Sequence, residues 1–345
     1  MFKRLILLLG NLLAAVTGAG LLARFIPPDV WWPPAVIALL LPGLLLGTLV
    51  FTAWALYRKH WRSATLPGLV VLASLPLLGR LFAVTFAVPT PTPADQVTVL
   101  TTNVRGFKNE AWQSIESHLR TTFIQQAAPD ILLLQETSGG KMADAIKATS
   151  KLNKRHQPNR KTIATYANEL TFISDKFAKP GNFNGFLVTD VTTNIGTIRV
   201  INAHLQSNRI SGMAGEIGKD KDFSQEIDRA ESMFRNYGAA AAIRAEQAED
   251  IRKAIQESPH PVIVGGDFND VPSSYTYQRI FTDRLQDAWA VAGNGIGTTF
   301  TGPLPFLRID FMLVDKQLDV HSVEHVETGY SDHRGLKVVL SRSRN

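Results

Sequence analysis

The stretch 262-VIVGGDFNDVPSS-274 decides the fold. Val262, Ile263 and Val264 form a β-branched run, closed by two glycines and then by Asp267, Asn269 and Asp270 before a Pro-Ser break. An apolar run of this length bounded by turn residues reads as a buried strand. Side chains two apart on a strand share a face, so Asp267 and Asn269 can reach into one site while Phe268 turns back into the core. Gly265 and Gly266 leave room for close approach at the strand end. Asp270, followed by Pro272, reads as an ordinary turn residue.

Working outward, similar runs recur at 97-VTVLTTN-103, 130-DILLLQE-136, 198-IRVINAHL-205, 308-RIDFMLVD-315 and 336-LKVVL-340. Helical patterns are expected between them over 110–127, about 139–150, and in a long helix ending 239-AAAAIRAEQAEDIRKAI-255. Strands interleaved with helices predict two layers of sheet flanked by helices. The segment 206–238 is a place for a substrate-specific loop.

The strands stop on polar residues. The first ends in Asn103, the second in Gln135-Glu136, and the strand of the opening stretch in Asp267 and Asn269; His204 and Asp310 lie on two more, and Asp332 and His333 precede the last. Singly, each is an ordinary cap, turn or structural residue. Converging on one rim, they would gather oxygen ligands for a hard cation, two imidazoles and further acids.

The ordered set 103-NVR-105, 129-PDILLLQE-136, 202-NAHL-205, 266-GDFN-269, 308-RIDF-311 and 331-SDH-333 resembles the endonuclease/exonuclease/phosphatase superfamily, in the form of a membrane-anchored bacterial member. The resemblance spans residues 97–340. It implies a four-layered α/β sandwich of two packed mixed sheets and a Mg²⁺- or Mn²⁺-dependent phosphoester hydrolase. Carried residue by residue, it makes Glu136 the principal metal ligand, helped by Asn103 and Asp332. Asp267 would deprotonate the attacking water and Asn269 hold a phosphate oxygen. His333, its ring fixed by Asp310, would face the phosphate, and His204 would donate to other non-bridging oxygens. Arg105 could touch a phosphate. Hard cations prefer such oxygen ligands, and phosphoryl transfer needs charge neutralisation and an in-line nucleophile above all.

The first ninety of the 345 residues differ in kind. No charge lies between Arg4 and Arg24, between Asp29 and Arg58, or over 63–79. A helix of about 20 apolar residues spans a bilayer, so three spans are expected, at about 5–25, 34–57 and 64–87, within a transmembrane region 1–88. Residues 1–26 also have the layout of a secretory signal, although the run is long and two spans follow. A proline-alternating linker, 89–96, leads to a catalytic region over 97–345. Arg80, near the end of the third span, could carry its charge to the interface, and Trp31 and Trp32 are placed like interfacial anchors.

Lys3 and Arg4 precede the first span, and Arg58, Lys59 and Arg62 fill the loop between the second and third. The positive-inside rule puts both in the cytoplasm and everything after the third span outside it. A bacterial inner membrane protein with a periplasmic catalytic region is the expected arrangement, with the bilayer as partner through three helices. Residues 1–90 hold seven Lys/Arg and one acid, so the net charge of +6 arises there, and 29 bases balance 29 acids in the remainder. The high pI therefore reflects topology and not nucleic-acid affinity. With no cysteine, disulfides and thiol chemistry are excluded. The substrate class stays open between nucleic acid, a phospholipid headgroup (sphingomyelinase-like) and an inositol phosphate. A non-catalytic binding module on the same fold is the rival reading.

Overall fold

The computed structural model describes residues 2–85, 95–109, 111–116, 118–138, 140–150, 152–159, 161–177, 183–207, 223–302 and 307–343. Three helices come first, α1 (Phe2–Leu22), α2 (Pro33–Tyr57) and α3 (Trp61–Leu81), each long and apolar enough to cross a membrane. They pack around Ala14, Leu41 and Leu77, and the hydroxyls of Thr17 and Thr48 share a hydrogen bond of 2.8 Å between α1 and α2.

The third helix starts earlier than 64 and stops short of 87. Phe82 is already extended, and Ala83 exchanges backbone hydrogen bonds with Gly295. Arg80, in the last turn of α3, is held by protein partners. Its Nη1 donates to Gln278 at 2.8 Å, its guanidinium lies 4.4 Å over the Phe281 ring, and its carbonyl accepts from Arg308 Nη2 at 2.7 Å. A helix C-terminus leaves carbonyls free and attracts cations, which accounts for Arg308 there. Of the expected linker 89–96, residues 89–94 lie outside the described residues.

The chain beyond the three helices has two mixed sheets. One contains β1 (Val97–Asn103), β2 (Ile131–Gln135), β3 (Lys154–His156), β4 (Ala164–Ala167), β11 (Leu318–Val326) and β12 (Gly335–Arg342), in the order β11-β12-β1-β2-β4-β3. The other contains β5 (Leu170–Phe177), β6 (Gly185–Thr193), β7 (Gly196–His204), β8 (Val262–Asp267), β9 (Leu285–Asp287) and β10 (Asp310–Asp315), in the order β5-β6-β7-β8-β10-β9. The pairs β1–β2 and β7–β8 are parallel and the rest antiparallel.

Val99, Ile131, Leu133, Val200, Ile263 and Met312 fill the space between the sheets. On the outer face of the first sheet, α4 (Thr122–Ala127) and α5 (Lys141–Thr149) bury Phe123, Ile124 and Ile146 against Leu100, Leu132 and Leu134. On the outer face of the second, α6 (Phe223–Gln256) and α7 (Tyr275–Ile280) bury Ile251, Ile255 and Tyr277 against Ile201 and Val264. Four layers result. Truncating one such Leu or Ile to Ala typically costs about 2–5 kcal/mol.

Three further expectations need correction. The helix expected over 110–127 is helical only from Thr122. Before it, Asn109 turns its side chain onto Gln113 N at 2.9 Å and Lys108 bridges Ser114, a local side-chain alternative that competes with helix. The segment 206–238 is helix α6 from Phe223 onward; residues 208–222 lie outside the described residues. The first half of α6 packs Met233, Tyr237 and Ala241 against Ala35 and Val36 of α2. Trp32 is not a free anchor either, since it sits on Gly238, where a Cβ would come within 2.6 Å of the indole.

Candidate active site

The carboxyl ends of β1, β2, β7 and β8 meet at one rim, the usual place for a site in sheets with parallel strands. On the second sheet, register aligns His204 with Asp267 and Asp267 with Asp310 across three neighbouring strands. On the first, Asn103 sits opposite Gln135, with Glu136 next in the chain. Two backbone features shape this rim. Gly266 has φ +140° and a Cβ there would lie 1.9 Å from the Ala203 carbonyl oxygen, so only glycine fits. Glu136 and Asn269, each at φ 51°, turn the chain out of the strands.

Asn269 therefore reaches the site by a left-handed turn and not by strand alternation, because β8 ends at Asp267. Its backbone N–H donates to Asp267 Oδ1 at 2.8 Å and its Nδ2 approaches Asp267 Oδ2 at 3.3 Å. Phe268 points inward as expected, with its ring 4.9 Å from that of Phe311.

Asn103 Nδ2 donates to both Glu136 Oε1 and Asp267 Oδ2, each at 3.1 Å. Its Oδ1 accepts from Arg105 N at 3.0 Å, so the amide presents its donor to the acids and its oxygen to the backbone. His204 Nε2 stands 3.7 Å from Glu136 and 3.8 Å from Asp267. Asp310 Oδ2 takes His333 Nδ1 at 2.9 Å, and His333 Nε2 stands 3.9 Å from Asp267 Oδ2. Asp332 pairs with Arg105 at 3.6 Å, whose guanidinium lies 5.1 Å over Trp112.

The electrostatics divide the acids. Asp267, Asp310 and His333 are buried, with ligand atoms within 4.8 Å of one another, whereas the Glu136 side chain is 39% exposed. Burial pushes the Asp267 carboxyl up to about 6, reinforced by Asp310 and opposed by His333 and His204. Burial would lower the His333 imidazole, but Asp310 and Asp267 outweigh it and hold it up to about 10.

Several contributors had no signal in the sequence. Asn184 Nδ2 lies 3.3 Å from His204 Nε2 and donates to Leu205 O at 3.0 Å. Beneath the rim, Gln135 Nε2 donates to Asn202 Oδ1 at 2.7 Å and to Thr101 Oγ1 at 3.1 Å, a polar tie between the sheets; Asn202 stood in 202-NAHL-205 without an assigned part. Asp270 is not a plain turn residue, since Arg244 Nε and the Tyr237 hydroxyl, both buried on α6, donate to it at 3.0 and 3.1 Å. Phe300 sets its edge against His333, ring centroids 5.3 Å apart. A cavity of about 640 Å³ beside Glu136 is lined by Ser138, Arg155, Gln157 and Lys161, which gives the exposed acid an open, partly basic approach.

The model of the family described as "Endonuclease/Exonuclease/phosphatase family" matches residues 100–333, and a domain of unknown function matches residues 3–81. No curated protein matches the chain in sequence. Among solved structures, an endonuclease/exonuclease/phosphatase from Bacteroides vulgatus is similar at 18% identity and TM-score 0.50, covering 72% of this chain and 99% of its own. TDP2 of D. rerio complexed with single strand DNA product is similar at 16% identity and TM-score 0.50, covering 71% and 99%. An endonuclease/exonuclease/phosphatase from Beutenbergia cavernae has 17% identity and TM-score 0.49, covering 72% of each chain. At these identities the likeness is one of fold.

Proposed function

This chain belongs to the endonuclease/exonuclease/phosphatase family, and from that premise we propose a membrane-anchored, divalent-metal-dependent phosphoester hydrolase acting outside the cytoplasm. The observation that carries it is the meeting of Glu136, Asp267, Asp310, His204 and His333 at one rim drawn from both sheets.

The donor set suits a hard cation such as Mg²⁺ or Mn²⁺, which takes carboxylate and amide oxygens and keeps several waters. Glu136 would hold it, being the open carboxylate of the group, with Asp332 and a rotated Asn103 amide at its flanks. The buried Asp267–Asp310–His333 group suits it less, because a protonated imidazole has no lone pair to give. When bound, the ion neutralises phosphate charge and polarises the phosphorus centre.

The chain's own groups supply the remainder. Asp267, raised towards neutrality yet ionised at pH 7, takes the proton of a water as its oxygen forms the new bond to phosphorus and the bond to the leaving alcohol breaks. The His333 imidazolium faces the non-bridging oxygens, with Asp310 setting its ring angle. His204 adds a second donor, and Asn269 holds Asp267 and the phosphate in register.

Placement outside the cytoplasm draws on charge and contact together. The catalytic region touches Trp32, the start of α2 and the end of α3, which is the end of the bundle opposite Arg58, Lys59 and Arg62. The positive-inside rule places those three in the cytoplasm, as in a bacterial inner membrane.

The test is hydrolysis of bis-p-nitrophenyl phosphate by the full-length protein in detergent. Mn²⁺ or Mg²⁺ should support turnover and a chelator abolish it. Turnover undiminished by chelator, or none with either metal, would overturn the proposal.

A further inference from the structure

A groove of about 720 Å³ runs between α2 and α3 and is roofed by the catalytic region. Leu39, Gly43, Leu46 and Leu49 form one wall, and Leu75 and Leu78 the other. Val271, Pro272, Ile296 and Leu307 cap it. Leu40, Leu46, Leu49 and Leu75 are each at least half exposed, so the groove opens sideways to whatever surrounds the helices. Ten residues from Leu39 to Leu49 rise about 15 Å, about half of a bilayer's hydrocarbon core and hence one leaflet.

The groove and the catalytic centre share a wall. Val271, Phe300 and Ile309 form one cluster with Leu39 and Leu307, and the other side of that cluster is the contact of Phe300 with His333. Val271 follows Asp267 and Asn269 in the same loop, and Ser273 Oγ in that loop donates to the Ala38 carbonyl at 2.8 Å. The upper end of the groove lies at the last turn of α3, marked by Leu81 and Phe82. Bilayer phosphates lie at that level when the helices span.

We propose that this groove binds an acyl chain of the substrate, so that the hydrolysed phosphoester is the headgroup linkage of a phospholipid drawn from the outer leaflet. Spanning helices with a laterally open apolar groove favour a hydrocarbon chain as occupant, and the shared Phe300 wall directs its headgroup to the phosphate site. The absence of a basic surplus in the catalytic region (29 bases against 29 acids after residue 90) fits a single phosphate and not a long polyanion. This assignment rests on the phosphoester hydrolase reading above.

Two chromogenic diesters separate the two readings, ethyl p-nitrophenyl phosphate and hexadecyl p-nitrophenyl phosphate, assayed with full-length protein in mixed micelles with Mn²⁺. The wild type should prefer the hexadecyl ester at least ten-fold in kcat/KM. Gly43 lies in the groove with nothing within 4 Å of an added Cβ, so Gly43→Trp should fill it. That variant should bring the preference close to one by lowering kcat/KM for the hexadecyl ester. Leu75→Trp, from the opposite wall, should do the same. Gly79 is equally open and not a lining residue, so Gly79→Trp should behave as wild type. Hydrolysis of both esters with no chain preference, or a preference that survives Gly43→Trp and Leu75→Trp, would overturn the groove and spare the hydrolase. Failure to hydrolyse either ester would overturn both.

Discussion

Asp310 Oδ2 and His333 Nδ1 lie 2.9 Å apart, both side chains almost fully buried, with Asp267 on the far side of the ring. One imidazole between two carboxylates makes the ring a fixed cation across the neutral range. Its value of about 10 lies above the ordinary 6.5, and that of Asp267, about 6, above the ordinary 3.8. Activity that needs Asp267 ionised and His333 protonated should rise through about pH 6 and fall through about pH 10. A bound divalent cation would pull the acid limb lower. For stability the sign is the same at both groups. The contribution of each is complete below its ordinary value and is lost as pH climbs through the folded one. Asp310→Asn should move the alkaline limb down by more than one pH unit, measured on kcat/KM. An unmoved limb would separate His333 from that step.

Glu136→Gln keeps the shape of the most open acid at the rim and removes its charge. Hydrolysis should fall by about 10²–10³, the usual cost of losing one charge-stabilising contact, with partial recovery at high Mn²⁺. His333→Ala should slow turnover with little change in the metal concentration needed. Full activity of Glu136→Gln at low metal would remove Glu136 as the principal ligand.

Arg308 and Asp287 form a buried pair with contacts of 3.0 and 2.8 Å, and the same guanidinium binds the end of α3. Breaking a buried pair from one side typically costs about 3–5 kcal/mol. Arg308→Met should therefore lower the melting temperature of the full chain in detergent, and an unchanged value would sink this assignment.

Alkaline phosphatase fused after residue 95 should be active and the same fusion after Arg62 inactive. The reverse pattern would place the catalytic region in the cytoplasm.

The sequence was most legible where a rule is local. Six apolar runs became strands close to their expected limits, and three uncharged stretches became helices. Strand-end residues from distant parts of the chain came together because register is a backbone property. What stayed hidden depended on contacts that only folding supplies. Asn184 lies in an unpatterned loop, Asp270 looked like a turn until Arg244 and Tyr237 came across from α6, and nothing in the sequence paired Arg80 with Gln278 and Phe281. Strands β3, β4, β5, β6, β9 and β11 also went unread. The solvent-facing β5 carries charges and hydroxyls among its apolar residues, and β3 and β9 are three residues each, too short for a period to register.

The clusters around Tyr237 and Val271 draw residues from both the helical bundle and the catalytic region, and the cluster around Trp289 takes in Ala83 just beyond α3. A secreted relative of this enzyme could not be made by scissors alone. A fragment beginning at residue 95 would leave bare the faces that Ala35, Val36, Leu39 and Ala83 now cover, one of them backing onto the ring that steadies His333. For this molecule the lipid-facing helices are masonry as well as mooring, and a water-soluble version would need a redesigned underside before its kinetics described the intact protein.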